Sequence, residues 1–424
     1  MYRLTPSRRD FLKLGCFGAA TLALGCGDNE VEADTGTRHA TAILEPEADS
    51  LLVAVWSATA RSVAVEIRTQ DTIVATTAGD LDGQRATFEI GDLAPATAYQ
   101  VTVSTDTGAR IVHHARTAPS ADDPRPVRLA VSADVDPSSE FESDIMEHVA
   151  AASPELYVSL GDFPYTDNGP PAATVEEYRA RHAEARTSPH VRAMLRSVAV
   201  RAIYDDHEFR NDWDAMRRDE DPSRYDAAMQ AWDEFFPLRG APAVKYRSWR
   251  WGANVECFLL DCRRYRSANA APDGAGKTML GETQRAWFVD AIKRSTATFK
   301  LVFTSVPLDF GNTGKDHWIG FIAERTLLFD AIAGVSGVLF VSADQHWFAT
   351  HRHARGIREF QVGPLARGIG MPDPAVAGVL FRAERYNFGL VDIDGDRLTF
   401  SGVGAGGDVF YKETLTAADL TPTN

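Results

Sequence analysis

The chain has 424 residues, 44% of them hydrophobic and 24% charged, with a net charge of −15 at pH 7. That length exceeds what one hydrophobic core usually supports, so two domains are expected. The acidic balance excludes nucleic-acid or anionic-membrane binding through bulk charge, although local positive charge can still meet a phosphate group.

The chain opens with a sorting signal. Ser7, Arg8, Arg9, Asp10, Phe11, Leu12 and Lys13 precede a short apolar run, Leu14 to Leu24, that ends at Gly25 and Cys26. A charged region, an apolar core and a small-residue exit describe a bacterial export signal, and the paired arginines mark the twin-arginine route. The run falls short of the ~20 apolar residues of a transmembrane helix. Leu22 to Cys26 also resembles a lipoprotein cleavage box, with Cys26 as the lipidation site. Residues 1–26 are therefore read as a signal peptide that engages the twin-arginine export machinery. It delivers the protein to the periplasm or cell surface, lipid-anchored through Cys26 or released.

Residues 39–119 alternate apolar and polar, as in Leu52 to Trp56, Val63 to Ile67, Ala86 to Ile90 and Tyr99 to Val103. Short strands at this spacing, without a helix pattern between them, predict an antiparallel β-sandwich with Trp56 as a core plug. Leu93 to Tyr99 resembles the corner of fibronectin type III and related immunoglobulin-like modules, where the Tyr hydroxyl ties back to the backbone. The pair His113 and His114 reads as exposed and without chemistry.

Pro and small polar residues over 118–126 mark a boundary. From 126 to 415 strands and helices alternate, which predicts an α/β layered domain. Strands are expected at Val127 to Ser132, Leu156 to Leu160, Val198 to Tyr204, Lys300 to Ser305 and Gly337 to Ser342. Helices are expected at Ser143 to Ala151, after a capping box at Thr174 and Glu177, after Ser188-Pro189, at Glu282 to Lys293 and at Ala323 to Ile332. Tyr225, Met229, Trp232 and Phe236 form a helical core stripe. Lys245 to Trp251 and Val255 to Arg263 read as a hairpin, as do Phe388 to Asp394 and Arg397 to Val403 around Asp394-Gly395-Asp396. Cys257 and Cys262, five apart on what reads as one strand, point to opposite faces about 16 Å apart and form no disulfide.

Chemistry gathers at the strand ends. Asp134 and Asp136, Gly161-Asp162 with Tyr165, Asp205-Asp206-His207-Glu208, and Asp344 with His346 each follow an apolar strand. Ligand sites of open α/β sheets lie at strand carboxyl ends. Carboxylates favour hard cations, while a His and a Tyr phenolate suit ferric iron or another transition ion. One Asp bridging two metals would let them share a hydroxide and stabilise the entering and leaving oxygens of phosphoryl hydrolysis. His182, His190, His317, His351 and His353 read as surface or core residues, with His317, in Lys315-Asp316-His317-Trp318, expected near the mouth of the site.

The order of these motifs resembles the calcineurin-like metallophosphatase superfamily. Gly-Asp-x-x-Tyr at 161–165, Asp-Asp-His-Glu at 205–208, Asp-x-His at 344–346 and the Leu-Asp-x-Arg stretch around Asp261 and Arg263 look most like the PhoD-type alkaline phosphatases. The resemblance implies a layered αββα metallophosphatase domain preceded by a small all-β sandwich. It implies two or more metal ions, calcium and iron foremost and other divalent metals as alternatives. Asp134, Asp162, Tyr165, Asp206, Asp344 and His346 would be metal ligands, with Asp162 bridging. His207 would touch the phosphate and protonate the leaving oxygen, Arg263 would hold a phosphate oxygen, and Asn211 would contact substrate. A structural ion pair of Arg263, with Asp261 or elsewhere, is the competing reading. The PhoD type has a metal-binding Cys at the end of its first strand, where this chain has Ala133 followed by Asp134. The implied activity is hydrolysis of small phosphate monoesters or diesters, phospholipid among them, by in-line attack of a metal-bound hydroxide. A degenerate, non-catalytic surface-binding protein is the alternative.

Overall fold

A computed structural model describes residues 39–136, 144–309, 315–370 and 377–423; the export signal, Cys26 and Ser143 lie outside them. Seven strands cover residues 39–116, as alternation predicts. Four of them, Ser62–Thr69, Thr72–Asp80, Ala98–Thr105 and Arg110–Arg116, form an antiparallel sheet. The tyrosine corner is present: the Tyr99 hydroxyl accepts from the Ala94 amide at 2.8 Å.

The other three strands supply the second layer of the expected sandwich, sharing its core through Ile43, Val53 and Ile90, and they also extend beyond it. His39–Leu44, Leu51–Ser57 and Arg85–Ile90 pair with one another, and His39–Leu44 then joins the strand Val200–Ala202 in parallel through Leu44 and Val200. The result is one nine-stranded sheet that runs from the N-terminal unit into the α/β region. An open sheet edge is an association hazard, and this junction covers two at once. The seam is reinforced by Glu45, buried between Arg247 at 2.5 Å and Arg201 at 3.0 Å. Trp56 does not plug the sandwich; it packs outward against Phe235, with ring centroids 6.3 Å apart. His113 is fully buried, not exposed, and bonds Thr41 Oγ1 at 2.8 Å and the Leu195 carbonyl at 3.0 Å.

In the α/β region the nine-stranded sheet carries Val127–Ser132, Leu156–Ser159 and Val200–Ala202 as parallel neighbours, continued by the antiparallel strands Asn387–Asp394, Arg397–Gly404 and Val409–Thr416. A second sheet of seven strands has Val255–Leu259, Phe299–Phe303, Val338–Ser342 and Arg358–Gln361 in parallel at its centre. Inner-face residues of both sheets, among them Leu129, Val158, Phe400, Leu259, Leu301 and Val341, merge into one buried core. Each such side chain contributes roughly 1.5–3 kcal/mol on burial.

Helices cover the outer faces. Ile145–Ala151, Val175–Ala185, Pro189–Ser197 and Pro222–Phe235 pack on the first sheet, while Gly281–Arg294 and Ile322–Ala331 pack on the second. This is the expected αββα layering. The capping box of Thr174 and Glu177 is formed, and Met229, Trp232 and Phe236 enter the core. Asp394-Gly395-Asp396 turns a plain hairpin. Cys257 and Cys262 are free and buried, but Cys262 lies beyond the strand that holds Cys257. No helix among the described residues is long and apolar enough to cross a membrane.

Candidate metal centre

The strands Val127–Ser132, Leu156–Ser159 and Val200–Ala202 of the first sheet and Val338–Ser342 of the second end at a common place. Just past those ends the backbone turns into the left-handed region at Asp134 (φ 61°), Asp162 (54°), Asp344 (76°) and His346 (62°). Asp tolerates that conformation better than most residues, yet such positions cost of order 1–3 kcal/mol and cluster at functional sites. Cross-links between loops hold them. The Val135 amide donates to the Asp162 carbonyl at 2.8 Å, and the Ala366 amide to the Asp134 carbonyl at 3.0 Å. Two glycines make the approach feasible: a Cβ on Gly161 would lie 2.5 Å from the Asp205 nitrogen, and one on Gly363 would collide with Asp134 Oδ2.

The expected ligand residues do come together. Asp134, Asp162 and His346 offer ligand atoms within 4.8 Å of one another; so do Asp162, Asp206 and His207, and so do Asp162, Asp205, Asp206 and Asp344. Asp162 is common to all three groups. Tyr165 joins them by bonding His346 Nε2 at 2.9 Å through its hydroxyl.

The electrostatics fit cations. Burial, then the surrounding carboxylates, pushes Asp134 and Asp162 well above the usual carboxylate range. Burial also raises Asp206, and it raises Asp205 to about 7 despite Arg263. Both carboxylate oxygens of Asp134 and Oδ1 of Asp206 are buried without a hydrogen-bond partner. Orphaned buried acceptors are costly, and an unrelieved cluster of like charges more so. His346, whose burial lowers it to about 4, presents a neutral imidazole, the form that binds a metal. Its Nδ1 donates to the Gly368 carbonyl at 2.8 Å, which fixes the ring.

His207 lies beside this group, its ring 4.1 Å from that of Tyr165. Burial opposes its charge, but Asp206 and Asp167 outweigh burial and raise it to about 9. Nδ1 donates to Asp167 Oδ1 at 2.7 Å, so Nε2 is the nitrogen left to face a substrate. Asp167 was not singled out in the sequence, although it follows Tyr165 by two residues.

Two expected contacts are placed differently. Arg263 is set against carboxylates. Its buried guanidinium grips Asp205 with two bonds, 2.5 Å and 2.7 Å, and Asp316 at 2.7 Å. The structural ion pair is therefore present but with partners other than Asp261, which accepts from the Arg263 amide at 3.1 Å. Asn211 is exposed, and what the structure uses is its backbone amide, 2.8 Å from Asp167 Oδ2. Asp136 pairs with Arg367 at 2.8 Å.

Other members were missed in the sequence. Glu208 binds the amides of Asp162, Phe163 and Asp205 at 3.1, 2.8 and 2.9 Å, locking two strand-end loops together. His317, expected near the mouth, had no partner assigned: Nε2 lies 2.8 Å from Asp344 Oδ2, and that imidazole outweighs burial and keeps Asp344 low. Asp205 also accepts from Ser305 at 2.5 Å.

A profile of the PhoD-like phosphatase family matches residues 138–375, which takes in every expected ligand except Asp134. The alkaline phosphatase D of Bacillus subtilis is 26% identical over 247 residues, covering 47% of this chain and 42% of that protein. The chain thus spans less than half the length of that relative. A solved structure of PhoD superposes with a TM-score of 0.77 at 18% identity, covering 90% of this chain and 88% of that one. A purple acid phosphatase, PPD1 from yellow lupin seeds, gives 0.66 at 12% identity over 91% and 77%. At such identities the two structures speak for the fold alone.

Proposed function

The chain belongs to the PhoD-like phosphatase family, and from that premise we propose that it hydrolyses phosphoric esters at the carboxylate–histidine centre. The observation that carries the reading is the sharing of Asp162 among three adjoining donor groups, which is what two neighbouring cations with one bridging carboxylate require.

In this reading Asp134, Asp162, Tyr165, Asp206, Asp344 and His346 hold two or more metal ions. When bound, such ions supply Lewis-acid activation of water and neutralise charge on the phosphate. Calcium suits the oxygen donors, and Tyr165 with His346 suits iron. Asp134 supplies oxygen beside the place where relatives carry a thiolate, and its two unsatisfied oxygens support a ligand role. Asp205 and Glu208 do not touch substrate; they set the loop positions. His207, whose Nδ1 donates to Asp167, gives its proton to the leaving oxygen. The substrates are small phosphate monoesters or diesters, with phospholipid headgroups in the same chemical class. The export signal places the enzyme in the periplasm or at the cell surface, with Cys26 as anchor or as cleavage point.

The test is turnover of p-nitrophenyl phosphate and its bis ester by the full chain, with calcium and iron supplied and bound metal measured by elemental analysis. Hydrolysis that depends on metal supports the proposal, and the ratio of the two rates assigns mono- or diesterase. A protein that binds no metal and cleaves neither ester would be a binding module on the same fold.

A further inference from the structure

The second sheet carries another cluster of metal-ligating side chains. His351 is the last but one residue of the strand Phe348–Arg352 and His353 follows the strand, with their ring centroids 4.1 Å apart. Glu359 lies opposite His351 in the neighbouring antiparallel strand Arg358–Gln361. The three offer ligand atoms within 4.8 Å of one another. The cluster faces outward under the helix Ile322–Ala331, whose Phe329 ring lies 6.0 Å from that of His353. A cavity of about 250 Å³, lined by both histidines with Arg325, Phe329 and Asp330, opens beside it.

We propose that His351, His353 and Glu359 form a second metal site, separate from the strand-end centre, that takes a zinc-class divalent ion and leaves a coordination position toward this cavity. Two imidazoles and one carboxylate with an open position is a recurrent donor set for such ions. The surrounding bonds orient the donors as bound ligands need. His351 Nε2 donates to the Ala377 carbonyl at 3.1 Å, which makes Nδ1 the nitrogen that offers a lone pair. Glu359 is fully buried; its Oε1 accepts from Ser342 Oγ at 2.5 Å and from the Leu308 amide at 2.9 Å, leaving Oε2 toward His353. His353 Nε2 and that Oε2 lie 2.6 Å apart and share a proton. Donors on one tetrahedral zinc sit about 3.3 Å apart, so an entering ion displaces the proton to solvent and spreads this pair by less than about 1 Å.

The experiment is metal content of the full chain after zinc loading and desalting, for the wild type, His353→Gln and His351→Gln. Each variant is expected to hold about one zinc per chain fewer than the wild type, with its far-UV spectrum and its ester turnover unchanged. Folded variants that retain the wild-type count overturn the proposal. Should the variants not fold, an anomalous difference map at the zinc edge on crystals of the unaltered chain decides. A peak between His353 and Glu359 supports the site, and its absence refutes it. Because the readout is a metal count, it stands whether or not the strand-end centre hydrolyses esters.

Discussion

Asp167 offers the sharpest test of how His207 works. Asp167→Asn removes a charge 2.7 Å from Nδ1 while leaving an amide oxygen to accept the same hydrogen bond. Burial alone would lower His207; instead it stands at about 9, against 6.5 for an ordinary imidazole. That difference corresponds to about 3 kcal/mol in favour of the protonated form. Asp206, Asp167 and Asp344 divide the opposing contribution. Loss of the Asp167 charge moves His207 down, and each pH unit by which it moves is about 1.4 kcal/mol. The sign follows: a general acid must be protonated, so the variant loses rate where the wild type is still charged. A fall of one pH unit cuts the protonated fraction by up to about tenfold on the alkaline side of the titration and hardly changes it well below. The assay is kcat for p-nitrophenyl phosphate from pH 6 to 10 on metal-loaded protein. An alkaline limb that stays in place, or a loss equal at every pH, would refute the role given to the Asp167–His207 pair.

Asp162→Asn should remove the shared ligand and cut kcat/KM by roughly 10³-fold, about 4 kcal/mol, with bound metal falling in elemental analysis; retained metal would show that Asp162 does not bridge. Arg263→Lys keeps the charge but breaks the bidentate grip on Asp205. It is expected to cost roughly 3 kcal/mol in urea unfolding while KM stays within about twofold, and a large rise in KM on a stable fold would restore a phosphate role. Burial lowers His113 to about 4, so it is neutral when folded and titrates near 6.5 when unfolded. Its contribution is therefore fully present above pH 6.5 and lost as pH falls toward 4. His113→Gln should recover about 2–3 kcal/mol relative to the wild type on going from pH 7 to pH 4.5, and parallel pH dependences would contradict the buried assignment.

The strand-end residues were legible in the sequence because each carries its signal locally. Leu156 to Leu160 is apolar enough to be buried on both faces, and Gly161-Asp162 must then emerge at its carboxyl end; Val338 to Ser342 and Asp344 repeat the logic. What stayed hidden depends on partners far apart in the chain. Arg263 looks like a phosphate clamp until Asp205 and Asp316 are seen to surround it, and each is more than fifty residues away. His317 could be placed near the mouth but not paired for the same reason, since its partner Asp344 lies on another segment. Alternation announced the strands of residues 39–116 but not that His39–Leu44 would extend the sheet of the α/β region, because sheet order is set by tertiary pairing. Nor does alternation distinguish a buried polar residue with partners from an exposed one, which is how His113 was misread.

The same geometry explains why the centre asks for cations. Asp134, Asp162, Asp205, Asp206, Glu208, Asp316 and Asp344 crowd one region, and Arg263 and Arg266 are the guanidinium groups buried among them. Seven carboxylates against two guanidinium groups and the His207 imidazolium leave four negative charges when all are ionised. Two divalent ions, or one divalent and one ferric ion, bring the balance close to neutral. Without cations the cluster lowers its charge by retaining protons, which is the physical content of the raised values at Asp134 and Asp162. Left-handed backbone at four expected ligands adds strain that acts in the same direction, since hydrogen bonds between loops hold these side chains inward whether or not anything neutralises them. A fold that gathers like charges and fixes them in strained positions has its donor atoms arranged before a cation arrives. Little reorganisation then remains when one binds, and the arrangement is better matched to metal ions than to any role in holding the two sheets together.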